Sequence, residues 1–293
     1  MKLNDALPPI FRRPLPLLER GTRVIVAGTL LDAPRRDVLK IVATGEGKVQ
    51  FLANNGRCLV FSGYSMLVGL LESDPKDYYR FLFKPSERAS LSVRPLASDA
   101  ELAAVFEEFV RTKFGWALVE EAGKYGVVAL PDLISLYQSG VLETDLSIRD
   151  VASHKVFSLP ASTGLREALR EMVKRRVRRV FLSGDGNKFV SDREILTYIF
   201  SPERLTLARD DPRKVLDATL ADVGAVEAID VGGRSTVKEI SRIFKPESGA
   251  WCLLCDGGLV TPWDLVMKPW KMGRLTIRET MSEKVRKSGR HAK

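Results

Sequence analysis

The spacing of apolar residues predicts amphipathic helices at several points along the chain. It is clearest in TGLREALREMVKRRV, residues 163–177, where apolar residues at i, i+3, i+4, i+7 and i+8 form one helix face. These residues are Leu165, Ala168, Leu169, Met172 and Val173. Weaker helical patterns occupy residues 36–42, 101–110 and 235–244, and a strand-like apolar run precedes each of the four helices. The alternation predicts an α/β (α+β) fold.

A second pattern occurs four times: a glycine-containing turn, a short apolar run and then a helix start. The four segments are ANNGRCLVFSGYSMLVGLL (53–71), EEAGKYGVVALPDLISLYQ (120–138), SGDGNKFVSDREILTYIF (183–200) and CDGGLVTPWDLVMK (255–268). Their helices start at Ser62, Ala129, Ser191 and Thr261, which are 67, 62 and 70 residues apart. One unit of strand, helix, strand, turn, strand and helix, repeated four times, therefore accounts for most of residues 22–270.

A longer repeat supports a grouping of these units in pairs. LSIRDVASHKV (146–156) recurs as LTIRETMSEKV (275–285), and the offset of 129 residues equals the distance from Ser62 to Ser191. No further repeat follows the second copy. We therefore expect it to pack back on the body of the protein as a terminal segment.

The composition of the 293-residue chain is that of a globular protein, with 45% apolar and 28% charged residues. The length suffices for about two domains. No apolar run approaches the ~20 residues of a membrane helix. The first 21 residues contain four prolines and lack the apolar centre of a signal peptide. These features predict a cytoplasmic protein that does not enter a membrane.

The net charge of +9 indicates an acidic partner, such as nucleic acid, a phosphorylated ligand or an acidic protein. Part of this charge lies in the last ten residues, which hold five Lys or Arg and no acid. The three cysteines are too few for a disulfide framework, and the single pair Cys252 and Cys255 cannot supply four zinc ligands. We therefore predict no metal site. The two histidines are not accompanied by a set of residues that could form a catalytic nucleophile. We therefore predict that the protein is not an enzyme.

The repeated unit resembles the CBS domain, the repeat named after cystathionine beta-synthase, and the third repeat (146–201) carries the resemblance best. The resemblance implies four repeats paired into two Bateman modules at residues 21–142 and 143–272, as in the gamma subunit of AMP-activated protein kinase. An N-terminal extension (1–20) and a basic tail (273–293) flank them. It further implies that one chain forms a disk with four clefts, or that two chains form a homodimer.

The resemblance also implies a ligand. Clefts of this family hold AMP, ADP or ATP, and S-adenosylmethionine in some members, while no cofactor is required. The signature is Ser or Thr, two residues and then Asp, at a strand-to-helix junction; the hydroxyl reaches phosphate, and the Asp accepts hydrogen bonds from ribose. Repeat 4 has this signature as Thr261 and Asp264.

The other junctions depart from the signature. Repeat 3 has Ser191 and Glu194, and repeat 2 keeps Asp132 but has Ala129 in place of the hydroxyl residue. Repeat 1 has Ser62 and Ser65 without an acid, so we expect its cleft to be empty or differently used.

Positive charge for phosphate is concentrated in repeat 3. The resemblance implies that Arg178 and Arg179, at the start of a strand, reach into a cleft, where an Arg fork grips phosphate well. The matching place in repeat 4 is taken by Trp251, which stacks on adenine or fills the core.

Physical chemistry leaves two interpretations of Thr261 and Asp264 open. A helix N-terminus attracts phosphate, and an ionised Asp accepts hydrogen bonds on both oxygens. The same residues, with Pro262 at the first helical position, also make an ordinary helix cap. The leading hypothesis is a non-catalytic regulatory sensor that binds adenine nucleotides and signals to a protein partner. The alternatives are a nucleic-acid-binding protein that uses the basic surface and tail, and a structural adaptor with vestigial clefts.

Overall fold

The structure is a computed structural model that describes residues 1–6, 49–54, 57–78, 91–113, 115–121, 124–244 and 252–278. It has two compact units, each built from separate stretches of chain. The first contains the described parts of Met1–Arg13, Pro95–Val156 and Ala228–Lys293, and the second those of Pro14–Arg94 and Phe157–Glu227. Repeats 2 and 4 thus contribute to the first unit, and repeats 1 and 3 to the second, except that the start of repeat 3 (146–156) belongs to the first unit.

The described helices and strands are numbered here in chain order. The helices are α1 (Leu3–Ala6), α2 (Gly63–Leu71), α3 (Leu102–Thr112), α4 (Leu130–Gln138), α5 (Ile148–Val151), α6 (Leu165–Arg175), α7 (Asp192–Ile199), α8 (Pro202–Asp210), α9 (Leu220–Val223), α10 (Val237–Ser241) and α11 (Pro262–Lys271), with 3-10 turns at Pro75–Asp77 and Pro212–Leu216. The strands are β1 (Val49–Asn54), β2 (Arg57–Ser62), β3 (Leu91–Val93), β4 (Leu96–Ala97), β5 (Trp116–Glu121), β6 (Lys124–Ala129), β7 (Leu142–Glu143), β8 (Ser158–Leu159), β9 (Arg179–Leu182), β10 (Lys188–Ser191), β11 (Val226–Glu227), β12 (Ile229–Asp230), β13 (Leu253–Cys255), β14 (Gly258–Val260) and β15 (Thr276–Ile277).

The sheets are small, and each repeat contributes one hairpin to them. In the first unit the strand orders are β4-β5-β6, β12-β13-β14 and β15-β7. In the second unit they are β1-β2-β3 and β11-β10-β9-β8. The hairpins β5–β6, β9–β10 and β13–β14 are antiparallel, whereas the first strand of each of these repeats, β4, β8 or β12, joins its hairpin in parallel. The predicted order of strand, helix, hairpin and helix is therefore confirmed in repeats 2, 3 and 4. The matching early segment of repeat 1 lies outside the described residues.

Helix α6 follows from its sequence. Leu165, Ala168, Leu169 and Met172 are buried along one face, and the charged residues between them are half-buried or exposed. The helix ends where Arg176 adopts a left-handed conformation (φ 56°), with its backbone N–H bonded to the carbonyls of the preceding turn. The predicted helix is confirmed, and it is shorter at both ends than the predicted 163–177.

Each unit has its own apolar core. In the first, α3, α4 and α11 cover the hairpins, and Phe106 stacks on Trp270 with ring centroids 4.7 Å apart. The buried Tyr137 donates a hydrogen bond to the Leu265 carbonyl (3.0 Å), and burial raises the pKa of this phenol. In the second unit, α2 packs its buried Leu67 and Leu70 into the core formed by α6 and α7.

The second copy of the long repeat packs back on the first unit, as predicted, in its described part. Thr276 and Ile277 pair antiparallel with Glu143 and Leu142. The expected pairing of repeats 1 with 2 and 3 with 4 concerns contacts between the two units, and it stays a prediction, as do the predicted domain boundaries. Among the described helices, none is long and apolar enough to cross a membrane.

Candidate functional site

The junction between β14 and α11 is built as a reciprocal helix cap. The backbone N–H and the hydroxyl of Thr261 both donate to Oδ2 of Asp264, at 2.9 and 2.7 Å. In return, the backbone N–H of Asp264 points at the Thr261 hydroxyl (3.4 Å). Pro262 opens the helix, where its missing N–H costs nothing. The structure thus brings Thr261 and Asp264 together. Their contacts with each other are those of a helix cap.

The second oxygen of Asp264 reaches beyond the cap. Oδ1 accepts a hydrogen bond from the hydroxyl of Ser153 (3.0 Å) and lies 3.5 Å from the ammonium of Lys268, one helical turn further on. Asp264 is only 7% exposed. A buried carboxylate requires such partners, since an unpaired charge in the interior is strongly unfavourable.

Lys268 holds the entry segment, which we define as residues 151–154, from the last residue of α5 toward β8. Its ammonium donates to the carbonyls of Val151 (2.8 Å) and Ala152 (2.9 Å) and to the hydroxyl of Ser153 (2.8 Å). These contacts use all three N–H donors of the ammonium. Lys268 therefore ties α11 of repeat 4 to a segment that belongs to repeat 3.

The backbone of the entry segment is fixed against β14. The N–H of Ser153 donates to the Leu259 carbonyl (2.8 Å), and the N–H of Leu259 donates to the Ser153 carbonyl (2.9 Å). A Cβ atom at Gly258 would lie 3.0 Å from both the Ala152 Cβ and the His154 Nδ1. Glycine at this position therefore allows the segment to lie close to the strand. Ser153 is held at its place by backbone bonds, independently of its side chain.

The repeat 3 junction has the same cap and a different surrounding. The backbone N–H of Ser191 donates to Oε2 of Glu194 (2.9 Å), and the Ser191 hydroxyl contacts the same oxygen. The neighbouring Asp192 is buried, and its Oδ2 receives both Nε (2.8 Å) and Nη2 (2.6 Å) of Arg178. The guanidinium of Arg178 thus binds a carboxylate of its own junction. Arg179 begins β9 and is half-buried.

The repeat 2 junction lacks the hydroxyl, as its sequence indicates. The backbone N–H of Ala129 donates to Oδ2 of Asp132 (2.8 Å), which gives half of the reciprocal cap. Asp132 is half-buried at the start of α4. At the repeat 1 junction, the side chains of Ser62 and Ser65 lie outside the described part of the structure, and so does Trp251.

The same capping motif also occurs at three exposed helix starts, where the hydroxyl and the backbone N–H of the first residue bind the acid three positions on. The pairs are Ser147–Asp150, Thr219–Asp222 and Thr236–Glu239. These hydrogen bonds lower the pKa of all three carboxyl groups below their ordinary values. The motif by itself therefore indicates a helix cap, and burial with a second partner distinguishes Asp264 from these caps.

Sequence reasoning missed Ser153 and Lys268. The Lys268 position carried a signal, because an acid four residues before a lysine on a helix predicts an ion pair. Ser153 lies 111 residues before Asp264, and no local pattern links the two. Cys252 and Cys255 are both buried, and neither forms a disulfide. In the described part of the chain, no group of three His, Cys, Asp or Glu residues is placed to hold a metal ion.

Comparisons with known proteins agree with the fold. A family model for the CBS domain matches residues 148–201. Among solved structures, a protein of Methanocaldococcus jannaschii, described as a candidate archaeal homologue of the gamma subunit of AMP-activated protein kinase, is 13% identical with a TM-score of 0.71. The match covers 85% of this chain and 97% of that one. At this identity the likeness shows the fold alone.

Two further structures are less similar. A conserved protein of Pyrococcus horikoshii is 16% identical over 75% of this chain and 89% of its own, with a TM-score of 0.48. A CBS-domain protein of Pyrobaculum aerophilum, solved in complex with AMP, is 16% identical over 45% of this chain and 90% of its own, with a TM-score of 0.32. No curated protein matches the sequence.

Proposed function

We propose that this chain, a CBS-domain protein, is a non-catalytic regulatory protein that binds an adenine nucleotide at the repeat 4 junction. Thr261 and Asp264 would form the centre of this site. The ligand would be AMP, ADP or ATP, with S-adenosylmethionine as the alternative. Ribose hydroxyls would donate to the Asp264 carboxylate, and phosphate would lie near the start of α11, where the helix dipole is positive.

The observation that carries the proposal is the burial of Asp264 at a helix start that faces a second repeat. The exposed caps at Asp150, Asp222 and Glu239 use one carboxylate oxygen, whereas Asp264 uses both. Its second oxygen meets Ser153 from the entry segment, so two repeats meet at this carboxylate. A ligand that contacts Asp264 would therefore lie next to both repeat 4 and the entry segment of repeat 3.

The remaining predicted residues have lesser roles in the proposal. Ser191 and Glu194 form the corresponding junction of repeat 3, where Arg178 and Arg179 would supply positive charge. Arg178 would have to exchange its bond to Asp192 for a phosphate, which makes this junction the weaker of the two. Asp132 would offer a carboxylate at repeat 2 without the hydroxyl partner.

Regulation requires a protein partner that distinguishes the bound from the free state, since a ligand without differential affinity shifts nothing. We propose that this partner is a cytoplasmic protein. A nucleic-acid partner, the alternative indicated by the net charge, would bind with an affinity that falls steeply with salt. Titration of labelled RNA and DNA at two salt concentrations separates the two partner classes.

The proposal is tested by calorimetric titration with AMP, ATP and S-adenosylmethionine. Asp264→Ala should abolish binding of the ligand that the wild-type protein takes. Asp222→Ala is the matched control, because it removes the same capping contacts at α9, where the acid is exposed. The absence of binding by the wild-type protein, or equal binding by Asp264→Ala and the control, would contradict the proposal.

A further inference from the structure

The second unit contains an open cavity of about 300 Å³ between the start of α6 and the 3-10 turn that follows α8. Its lining residues are Arg166, Asp211, Arg213, Lys214, Leu216 and Asp217. None of them belongs to one of the four repeat junctions. The three cations and two carboxylates give the lining a net charge of +1, and Leu216 is its one apolar member. Such a lining suits a small charged ligand better than an apolar one.

Arg166 is held in place by the core of the second unit. Its Nη1 donates to the hydroxyl oxygen of Tyr78 (2.7 Å), and its guanidinium lies over the Tyr78 ring, 5.1 Å from the centroid. Tyr78 is only 1% exposed and belongs to the apolar core of this unit. A cation that is already oriented loses little further freedom when a ligand binds.

Most of the hydrogen-bonding capacity of Arg166 is unused. A guanidinium has five N–H donors, and the contact with Tyr78 uses one of them. Within the described residues, no carboxylate forms an ion pair with Arg166, although its side chain is half-buried. Arg213, by contrast, is paired with Asp211 through Nε to Oδ1 (3.0 Å) and Nη2 to Oδ2 (3.3 Å). Arg166 is therefore the lining guanidinium that can receive an external anion.

The 3-10 turn places a second cation at the cavity. Nη2 of Arg204 donates to the carbonyl of Lys214 and to that of Asp217 (3.1 Å), and Leu216 is buried, so the backbone of the turn is fixed. The Lys214 side chain is exposed and makes no hydrogen bond or ion pair within the described part of the chain. The exposed carboxylate of Asp217 opposes an anion, but solvent screens a charge in that position.

We propose that this cavity is a second ligand site of the protein, and that it takes a small oxyanion of the phosphate class. The ligand is either inorganic phosphate or the phosphate group of an ester. The planar guanidinium of Arg166 donates to two phosphate oxygens at once, and Lys214 adds a second positive charge. This site shares no residue with the nucleotide site proposed above and does not depend on it.

The test is an NMR titration of the full chain with inorganic phosphate and with glycerol 3-phosphate, each compared with sodium chloride at equal ionic strength. The Nε–H signal of Arg166, identified by its absence from Arg166→Gln, should shift saturably with phosphate and not with chloride. Tighter binding of glycerol 3-phosphate than of phosphate would assign the site to an ester. Equal or weaker binding of the ester would assign it to the free ion.

The variants are compared through the backbone amide signals of residues 211–217. Arg166→Gln should weaken phosphate binding by about tenfold or more, the usual net value of hydrogen bonds to a charged group. Lys214→Gln should weaken it by about threefold, because an exposed charge contributes less. The matched control is Arg176→Gln, which removes the same charge from an exposed residue just beyond the other end of α6 and should bind like the wild-type protein.

Circular dichroism and thermal unfolding establish that each variant is folded. If Arg166→Gln does not fold, the exposed Lys214 still tests the site, since its side chain can be changed without disturbing the core. The absence of a saturable shift in the wild-type protein would overturn the proposal. So would phosphate binding by Arg166→Gln and Lys214→Gln that equals that of the Arg176→Gln control. Either result leaves the nucleotide function standing, because that function is tested separately with Asp264→Ala.

Discussion

The repeat 3 and repeat 4 junctions share one capping motif and differ in where they place positive charge. In repeat 4, Lys268 sits one turn after the capping acid Asp264 and contacts its second oxygen. In repeat 3, the charge comes from Arg178 on the preceding stretch of chain, and it binds Asp192 rather than the capping Glu194. Among the described residues, none donates to the second oxygen of Glu194.

This difference shows that the motif and the site are separable. A hydroxyl residue followed by an acid three positions later forms a cap wherever it starts a helix, as the exposed caps at α5, α9 and α10 show. What varies is the second oxygen of the acid. In repeat 4 it accepts a hydrogen bond from Ser153 of another repeat, whereas in repeat 3 no described residue donates to it.

The largest expected effect is the loss of stability when the capping acid of each junction, Asp264 or Glu194, is removed. Asp264→Ala should destabilise the first unit by about 3 kcal/mol, since it removes the cap and the contacts to Ser153 and Lys268. Glu194→Ala should destabilise the second unit by about 1 kcal/mol, the usual value of a cap. Hydrogen exchange measured by mass spectrometry reports both units in the same sample. Equal losses of stability for the two variants would contradict the difference between the repeat 3 and repeat 4 junctions.

The next effect concerns the ion pair of repeat 3. Asp192 has a side chain that is 9% exposed, whereas that of Arg178 is 55% exposed. Arg178→Met should cost about 1–2 kcal/mol, because it leaves a buried carboxylate without its cation, with part of the effect screened by solvent. The double variant Arg178→Met/Asp192→Asn should recover most of this loss. A double-mutant cycle in urea measures the coupling, and additive losses would show that the pair contributes nothing.

A smaller effect is expected for the lysine of repeat 4. Lys268→Met should cost about 1 kcal/mol, because it removes three hydrogen bonds from a half-buried ammonium while its apolar stem is kept. Lys271→Met is the control in the same helix, since Lys271 is exposed and contacts the Trp263 ring. Tryptophan fluorescence follows unfolding of the first unit, in which Trp116, Trp263 and Trp270 lie. A larger loss at Lys271 would contradict the assigned role of Lys268.

The smallest effect is the pH dependence of an exposed cap. The hydrogen bonds from Thr219 hold the pKa of Asp222 below its ordinary value of 3.8. A lowered carboxyl pKa stabilises the folded state above the unfolded value, and this contribution is lost as the pH falls below about 4 through the folded pKa. Asp222→Asn should therefore flatten the acid side of the stability profile slightly. Carbon-detected NMR titration gives the pKa, and a value at or above 3.8 would contradict the cap.

The sequence predicted the elements whose pattern is local. Helices α3 and α6 each carry a periodic apolar face over three turns, and the hairpins before α4, α7 and α11 combine a turn with apolar runs. The four-residue helices α5 and α9 were not predicted, because one turn buries too few residues to give a periodic signal. Helix α8 was missed for another reason: of its residues only Ala208 is buried, so it has no apolar face.

The candidate site was predictable only in part. Thr261 and Asp264 are three residues apart, so their contact follows from helix geometry. The role of Ser153 depends on how β14 pairs with the entry segment, which is a long-range contact of the folded chain. Repetition of residues 146–156 marked the segment as structural, but it did not indicate which junction the segment would face.

The interleaving of the two units has a consequence for synthesis on the ribosome. The second unit ends at Glu227, whereas the first needs stretches on both sides of it, up to α11 and β15. Repeat 2 is therefore synthesised long before the repeat 4 helix against which it packs. During that interval the apolar surface of repeat 2 has no partner to cover it. We expect the second unit to complete its core first, while the nascent first unit is the part of the protein that depends on chaperones.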